Sequence, residues 1–322
     1  MSPIDIDDIR AAAGRLDGVA TRTPLVPLRT GDGRFLLKAE CLQPVGVFKL
    51  RGAYNAISLL PDDVRRGGVM AASSGNHALG VARAARSLGV SATIVMPSDA
   101  PAVKRDGVIA DGATIVDWDP TGPRWLQDVA DDLAAERGVP MIHPFDDAQV
   151  IAGQGTIGLE IAVDVPDVAA VLVPIGGGGL ISGVARAIKS LAPQARVIGV
   201  EPALAGDAAD SFRTGHLVEW PTADMRRTIA DGTRVNLSER TFATIQAFVD
   251  DIVTVSEDEI VDAIRCIARE ARLVAEPSGA LTTAALLHHR DELGLTGRPG
   301  PIVAVVSGGN VDLSRLGDYL RE

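Results

Sequence analysis

A lysine at the mouth of an apolar helical stripe is the first residue here with chemistry to offer. In Phe48-Lys49-Leu50-Arg51-Gly52-Ala53 and the residues after it, Leu50, Ala53, Tyr54 and Ile57 fall at i, i+3, i+4 and i+7. That spacing predicts a helix with Lys49 in its first turn, at the edge of the buried face. An ammonium there meets the positive end of the helix dipole and a partly apolar wall. Both disfavour the charged form, so Lys49 is a candidate amine for condensation with a carbonyl. The same residues also read as a lysine snorkelling off a core helix.

Three further stretches are rich in small and polar residues: Ser73-Ser74-Gly75-Asn76-His77, Gly176-Gly177-Gly178-Gly179 and Ser307-Gly308-Gly309-Asn310. Each follows an apolar run and precedes a predicted helix. A helix N-terminus carries unpaired N–H groups and a positive dipole end, which suit phosphate or carboxylate. Four consecutive glycines let backbone approach an anion without Cβ interference. A tight strand-to-helix turn is the plainer reading, but it forfeits chain entropy with no packing gain.

The elements that must hold these groups alternate along the chain. Asp5 to Leu16 reads as a surface helix, Arg34 to Glu40 as a strand, then the lysine helix. Strands are predicted at Gly68–Ala72, Ser91–Met96, Thr114–Val116 and Pro140–Ile142. Helices are predicted with Ala78, Val81, Ala82, Ala85 and Leu88 on one face, from about Pro101, and from Arg124 to Glu136. A second series begins at Ile157, with strands at Ala170–Val173, Arg196–Val200 and Ile302–Val306. Its helices follow Gly179, run from Glu257 to Arg272 and from Ser278 to His289, and close the chain, while Ala205–Asn236 is the least periodic region. Repeated β-then-α units predict an α/β protein with doubly wound parallel sheets. Ligands gather at the carboxyl ends of such strands, where the three small-residue stretches lie.

Composition agrees. The chain has 322 residues, 46% hydrophobic but only 3% aromatic, with 34 glycines, enough for two domains with buried, β-branched strands. A net charge of −11 and the lack of a dense Lys/Arg run argue against nucleic acid or an anionic membrane as partner. Met1-Ser2-Pro3-Ile4-Asp5 has no apolar signal core, and no apolar run reaches spanning length. Cys41 and Cys266 lack metal-ligand or CxxC spacing and read as reduced thiols of a cytoplasmic protein.

For the phosphate ligand, a dinucleotide is the first rival, since Glu201 ends the strand after the glycines. G-x-G-x-x-G cannot be completed from Gly176, Gly177 or Gly178, and no Gly-Lys-Ser/Thr follows to make a P-loop. A phosphorylated aldehyde held by Lys49 satisfies both the amine and the cradle. At this point the four motifs together resemble the fold-type II pyridoxal-phosphate enzymes (tryptophan synthase β-like). Within these, the serine/threonine dehydratase and serine racemase branch is the nearest in pattern. The match is collinear over nearly the whole chain, and His143-Pro144-Phe145-Asp146-Asp147, Ile151-Ala152-Gly153-Gln154-Gly155-Thr156 and Ile229-Ala230-Asp231-Gly232 belong to it.

The resemblance implies two doubly wound domains, a large one from residues 1–52 and 148–322 and a small one from 53–147, with no added regulatory domain. It implies pyridoxal 5'-phosphate as cofactor, a small amino-acid substrate and a homodimer. Lys49 would hold the cofactor's aldehyde as a Schiff base and, once displaced, take the Cα proton. Gly176, Gly177, Gly178, Gly179 and the adjoining Leu180 would bind phosphate. Phe48 and Gly232 would sandwich the ring, Asn76 would reach its phenolic oxygen, and Ser307 would face its nitrogen. The loop of Ser73, Ser74, Gly75, Asn76 and His77 would hold the substrate carboxylate. A hydroxyl at the ring nitrogen makes a weaker electron sink than a carboxylate, which by the same resemblance suits β-elimination to a 2-oxo acid and ammonia. Ser74 stands where racemases carry the acid/base of the opposite face, and it also reads as an N-cap. Glu201, Ala205 and Asp207 match a divalent-cation site of the racemase group, with oxygen ligands that suit Mg²⁺ or Ca²⁺.

The activity implied is a threonine or serine ammonia-lyase. Alternatives are a serine racemase, a 3-hydroxyaspartate dehydratase, β-replacement with a sulfur nucleophile (which usually has another lysine motif), and a non-catalytic nucleotide- or ligand-binding protein. Two departures stand out: Val47 replaces the usual serine before Phe-Lys, and Leu79 the common glutamine after Asn-His-Ala. Both predict a substrate pocket altered toward a bulkier or less polar 3-hydroxy amino acid.

Overall fold

The computed structural model describes residues 4–29 and 34–321; Met1 to Pro3, part of the N-terminal stretch read above, lie outside them. Nine strands are present among the described residues: β1 Leu25–Pro27, β2 Phe35–Ala39, β3 Val69–Ala72, β4 Ala92–Pro97, β5 Thr114–Trp118, β6 Ala170–Pro174, β7 Arg196–Pro202, β8 Asp251–Val255 and β9 Ile302–Val306. They form a six-stranded sheet ordered β1-β2-β9-β6-β7-β8 and a three-stranded sheet ordered β3-β4-β5. Every pairing is parallel except β1 with β2, where Leu25 faces Lys38 at an antiparallel edge.

The larger sheet is covered on both faces, which is why its strands read as continuous apolar runs. In β6, Ala170 and Leu172 enter one core while Val171 and Val173 enter the other. In β9, Ile302, Ala304 and Val306 alternate with Val303 and Val305 in the same way. Each of these fully buried valines and leucines contributes about 1.5–3 kcal/mol relative to exposure. The smaller sheet shares its core with Val45, Val47, Leu50 and Ile57, so the lysine helix packs against it.

Several predicted elements differ. Pro140–Ile142 is not a strand but a single bridge, in which Met70 N–H donates to Pro140 O (2.9 Å) and Ile142 N–H to Met70 O (2.8 Å). The helix Ala148–Asp164 begins well before Ile157, capped by the Asp147 carboxylate accepting from Gln149 and Val150 N–H. It has apolar and small residues all round, so no stripe betrays it. β1 and β8 carry no periodic signal, being an edge strand of three residues and one flanked by polar segments. The helix expected to reach Arg272 is α-helical only over Glu257–Cys266; a π-helical turn, Ile267–Ala271, follows and ends at Arg272 with φ 60°. No described helix is long and apolar enough to cross a membrane.

Candidate active site

Lys49 is the first residue of the helix Lys49–Ser58. Glycines set its depth. A Cβ on Gly80 would lie 2.9 Å from the Lys49 carbonyl carbon, and one on Gly153 would lie 2.6 Å from Arg51 O. The lysine helix is thus clasped between Asn76–Leu88 and Ala148–Asp164 at a spacing that side chains would not permit. The loop leading into it is stitched to the residues just after β9: Phe48 N–H donates to Ser307 O (3.1 Å), Gly309 N–H to Gly46 O (2.9 Å), and Asn310 Nδ2 to Val45 O (3.0 Å). Two of the three small-residue junctions, 73–77 and 307–310, therefore converge on Lys49.

Part of the Lys49 side chain still reaches solvent, yet its Nζ is surrounded by protein, donating to Pro144 O at 2.8 Å and lying 5.1 Å from the Phe48 ring centroid. No salt bridge joins it to a carboxylate among the described residues. Desolvation alone lowers its pKa to about 8. Its charge also weighs on two histidines. Burial foremost, then Lys49, pushes His77 down to about 3. His143 is lowered chiefly by burial, and its Nδ1 accepts from Asp146 N–H (2.8 Å). His77 Nε2 bonds Ile142 O at 2.7 Å while its Nδ1 is buried without a partner. Both rings are neutral near pH 7, with Nε2 of His77 the donor.

The glycine junction follows β6. Gly178 has φ +82° and precedes the helix Gly179–Leu191, which has no side-chain cap, so its first N–H groups are free for an anion. A side chain at Gly177 would overlap the Phe145 ring, and one at Gly179 would lie 2.8 Å from Phe145 Cβ. Leu180, in the first turn, is buried. Gly232 adjoins this loop, since a Cβ on Gly176 would come within 3.3 Å of Gly232 O. Gly232 N–H donates to Ser278 Oγ (2.9 Å), and Ser307 Oγ, buried, lies 3.4 Å from Ser278 O. An uncapped helix N-terminus, a run of glycines packed too closely for any Cβ and a buried amine fit a phosphorylated aldehyde.

On the remaining junction, Ser73 Oγ accepts from Gly75 N–H (3.1 Å), while Ser74 is exposed. Ser74 is not an N-cap: the helix starts at Asn76 with Gly75 before it and no side-chain cap. Asn76 Nδ2 donates to Glu276 Oε1 at 2.5 Å. Lys104, buried, packs on Gly75 and pairs with Asp231 at 2.7 Å. Phe145, Ser278, Glu276 and Lys104 were not singled out from sequence as site residues. Phe145 and Asp231 sat within motifs already noted, but the other three carry no local signal.

Glu201, Ala205 and Asp207 form a separate group at the end of β7. Glu201 accepts N–H from Ala208 (3.3 Å) and Ala209 (2.8 Å), and Asp207 accepts from Leu237 N–H (3.1 Å). Burial, then the neighbouring Asp207, raises Glu201; burial raises Asp207 to about 7. Asp207 Oδ1 is buried without a partner. No group of three or more His, Cys, Asp or Glu side chains suited to a metal exists among the described residues. Val47 and Leu79 are both buried in the core of the smaller sheet, Val47 bridged to Gly308 and Leu79 against Gly107.

These features define an enzyme that works through a phosphorylated aldehyde. The chain belongs to the pyridoxal-phosphate dependent enzyme family, whose model matches residues 16–308. It is 42% identical over 316 residues to the L-threo-3-hydroxyaspartate ammonia-lyase of Saccharomyces cerevisiae, covering 96% of this chain and 94% of that protein. Among solved structures, a threonine deaminase from T.th. superposes with a TM-score of 0.87 at 43% identity, over 96% of this chain and 99% of that one. Maize serine racemase gives a TM-score of 0.92 at 38% identity, over 99% and 97%. The fold is therefore that of the fold-type II pyridoxal-phosphate enzymes, and pyridoxal phosphate is the cofactor.

Proposed function

We propose that the chain is an ammonia-lyase that removes water from a small 3-hydroxy amino acid, L-threonine or L-serine, to give a 2-oxo acid and ammonia. The observation that carries this reading is the Lys49 amine, enclosed without a carboxylate and with its pKa lowered to about 8. Such an amine is a nucleophile and a general base near neutral pH. When bound, pyridoxal phosphate supplies the aldehyde that captures the substrate amine and a sink for the electrons left at Cα.

The chain's own residues supply the rest. Lys49 takes the Cα proton, and one proton is returned to the substrate's β-hydroxyl, which departs as water, so that the amine ends the turnover neutral. The released enamine hydrolyses in water to the 2-oxo acid and ammonia. N–H groups of the 73–77 loop would hold the substrate carboxylate, and the uncapped turn at Gly176–Gly179 and Leu180 would hold phosphate. Phe48 and Gly232 would flank the ring, and Asn76 would donate to its oxygen. Ser307 would offer the ring nitrogen a neutral hydroxyl and no counter-charge. The test is a visible spectrum with serine, threonine, 3-hydroxyaspartate and 3-phenylserine in turn, with an assay for keto acid. Colourless protein that stays colourless with added pyridoxal phosphate sinks the reading, whereas a strong preference for 3-hydroxyaspartate moves the substrate.

Ser74 supports a second activity. Its exposed hydroxyl, unengaged as a cap, is free to exchange a proton at Cα, so racemisation accompanies elimination in this reading. Chiral analysis of recovered serine tests it. A divalent cation, Mg²⁺ or Ca²⁺, at Glu201, Asp207 and the Ala205 carbonyl is supported by the orphaned Asp207 Oδ1, with water completing the shell. A melting temperature unmoved by chelator and by either ion would remove it. A cytoplasmic homodimer completes the reading, and sedimentation checks the dimer.

A further inference from the structure

Glu276 is the site's least expected member. It precedes the helix Pro277–His288, is only 2% exposed, and has no cation bonded to it among the described residues. Its Oε1 accepts from Asn76 Nδ2 at 2.5 Å, while Oε2 is buried with no hydrogen-bond partner. The other end of the same amide is also held: Asn310 Nδ2 donates to Asn76 Oδ1 at 3.0 Å and to Val45 O at 3.0 Å.

The Asn310 grip fixes the orientation of the Asn76 amide. Asn310 Nδ2 is held as a donor by Val45 O, so a flip of Asn76 would set NH₂ against NH₂ whatever the protonation of Glu276. In the permitted orientation one N–H goes to Glu276, and the second has no partner among the described residues. Glu276 itself has little room to swing, since a side chain on Gly308 would overlap its Oε1. Asn76 opens the helix whose Gly80 touches Lys49, so the held amide and the amine belong to one constellation.

We infer that Glu276 is a positioning residue: acting through Asn76, with Asn310 at the other end, it keeps one amide N–H available to the bound cofactor. This rests on the reading of Asn76 as a donor to the cofactor's ring oxygen. The charges around Glu276 are Lys104 and Asp231, with Asn76 as its neutral partner; burial outweighs Lys104 and lifts the carboxyl to about 8. Near neutrality the acid is therefore chiefly protonated, and a glutamine reproduces its shape, its neutrality and its acceptor oxygen.

The experiment compares Glu276→Gln, Glu276→Ala, Asn76→Ala and the double alanine variant. Cofactor dissociation constant, visible absorption of the bound cofactor, kcat and KM are measured for each. Glu276→Gln is expected within about threefold of wild type. Glu276→Ala is expected to lower kcat about tenfold with KM little changed, and to weaken cofactor binding several-fold. Its absorption should match that of Asn76→Ala, and the double variant should be no worse than Asn76→Ala alone. If the two losses multiply in the double variant, or if Glu276→Ala keeps wild-type absorption and affinity, the inference falls. A Glu276→Gln protein that folds but loses function overturns it too. Should Glu276→Ala not fold, Asn310→Ala with and without Asn76→Ala gives the same comparison from the other grip. Wild-type protein that binds no pyridoxal phosphate would sink the functional reading, whereas wild-type binding with multiplicative losses sinks only this inference.

Discussion

Lys49 and Arg51 leave the same helix two residues apart, and both enter the protein interior. Their fates differ because of what meets them. Lys49 Nζ finds a backbone carbonyl and neutral rings, and burial lowers its pKa to about 8. Arg51 finds Glu40 at 2.9 Å and Glu160 at 2.6 Å, and Lys38 shares Glu160 at 2.5 Å. Burial opposes the Arg51 charge, but the two carboxylates outweigh it and raise its pKa. Burial likewise raises Glu40, and Arg51, helped by Thr23 and Lys38, more than reverses this, so Glu40 ends below its usual value. A buried cation with counter-ions becomes structure; one without them becomes a reagent.

The largest expected effect comes from removing the reagent. Lys49→Ala should lower turnover by roughly 1,000-fold or more while the protein still folds. Borohydride reduction and peptide mapping should find a pyridoxyl label on Lys49 of wild type and none anywhere in the variant; a labelled, active variant would erase the contrast. Next comes the structural cation. Arg51→Met leaves Glu40 and Glu160 without their main partner in a dry site, and should cost about 3 kcal/mol in urea unfolding. A loss under about 1 kcal/mol would mean that the network does not depend on Arg51.

The pH profile sharpens the comparison further. Only the neutral amine attacks an aldehyde, and the Lys49 pKa is lowered to about 8, so uptake of cofactor by apoprotein should rise with pH and level off above about 8. Continued rise toward the ordinary lysine range would show that burial has not tuned this amine. The smallest effect is expected at Ser74, which is exposed. Ser74→Ala should change stability by no more than about 0.5 kcal/mol and spare elimination. Exchange of the Cα proton from the second face should disappear, and its survival would assign racemisation elsewhere.

Residue types carried much of this. Apolar runs at β6 and β9 announced strands buried on both faces, and the tetraglycine and the stripe after Lys49 announced two helix starts. The helix Ala148–Asp164 escaped because a helix buried on every side has no stripe, although three glycines inside it mark close packing. Val47 and Leu79 lie in the core of the smaller sheet, and Val47 also bridges to Gly308, beside Glu276.

Local spacing determined the strand-helix alternation, the junctions at the strand ends and the place of Lys49 at the head of a helix, because backbone periodicity and helix-end chemistry are properties of neighbours in sequence. Which charges meet was decided only by the tertiary structure. That Lys49 lacks a carboxylate, that Arg51 has two, and that Glu276 reaches Asn76 from 200 residues away are outcomes of packing two sheets together. Desolvation and Coulomb interaction depend on distance through space, and no pattern along the chain encodes that distance.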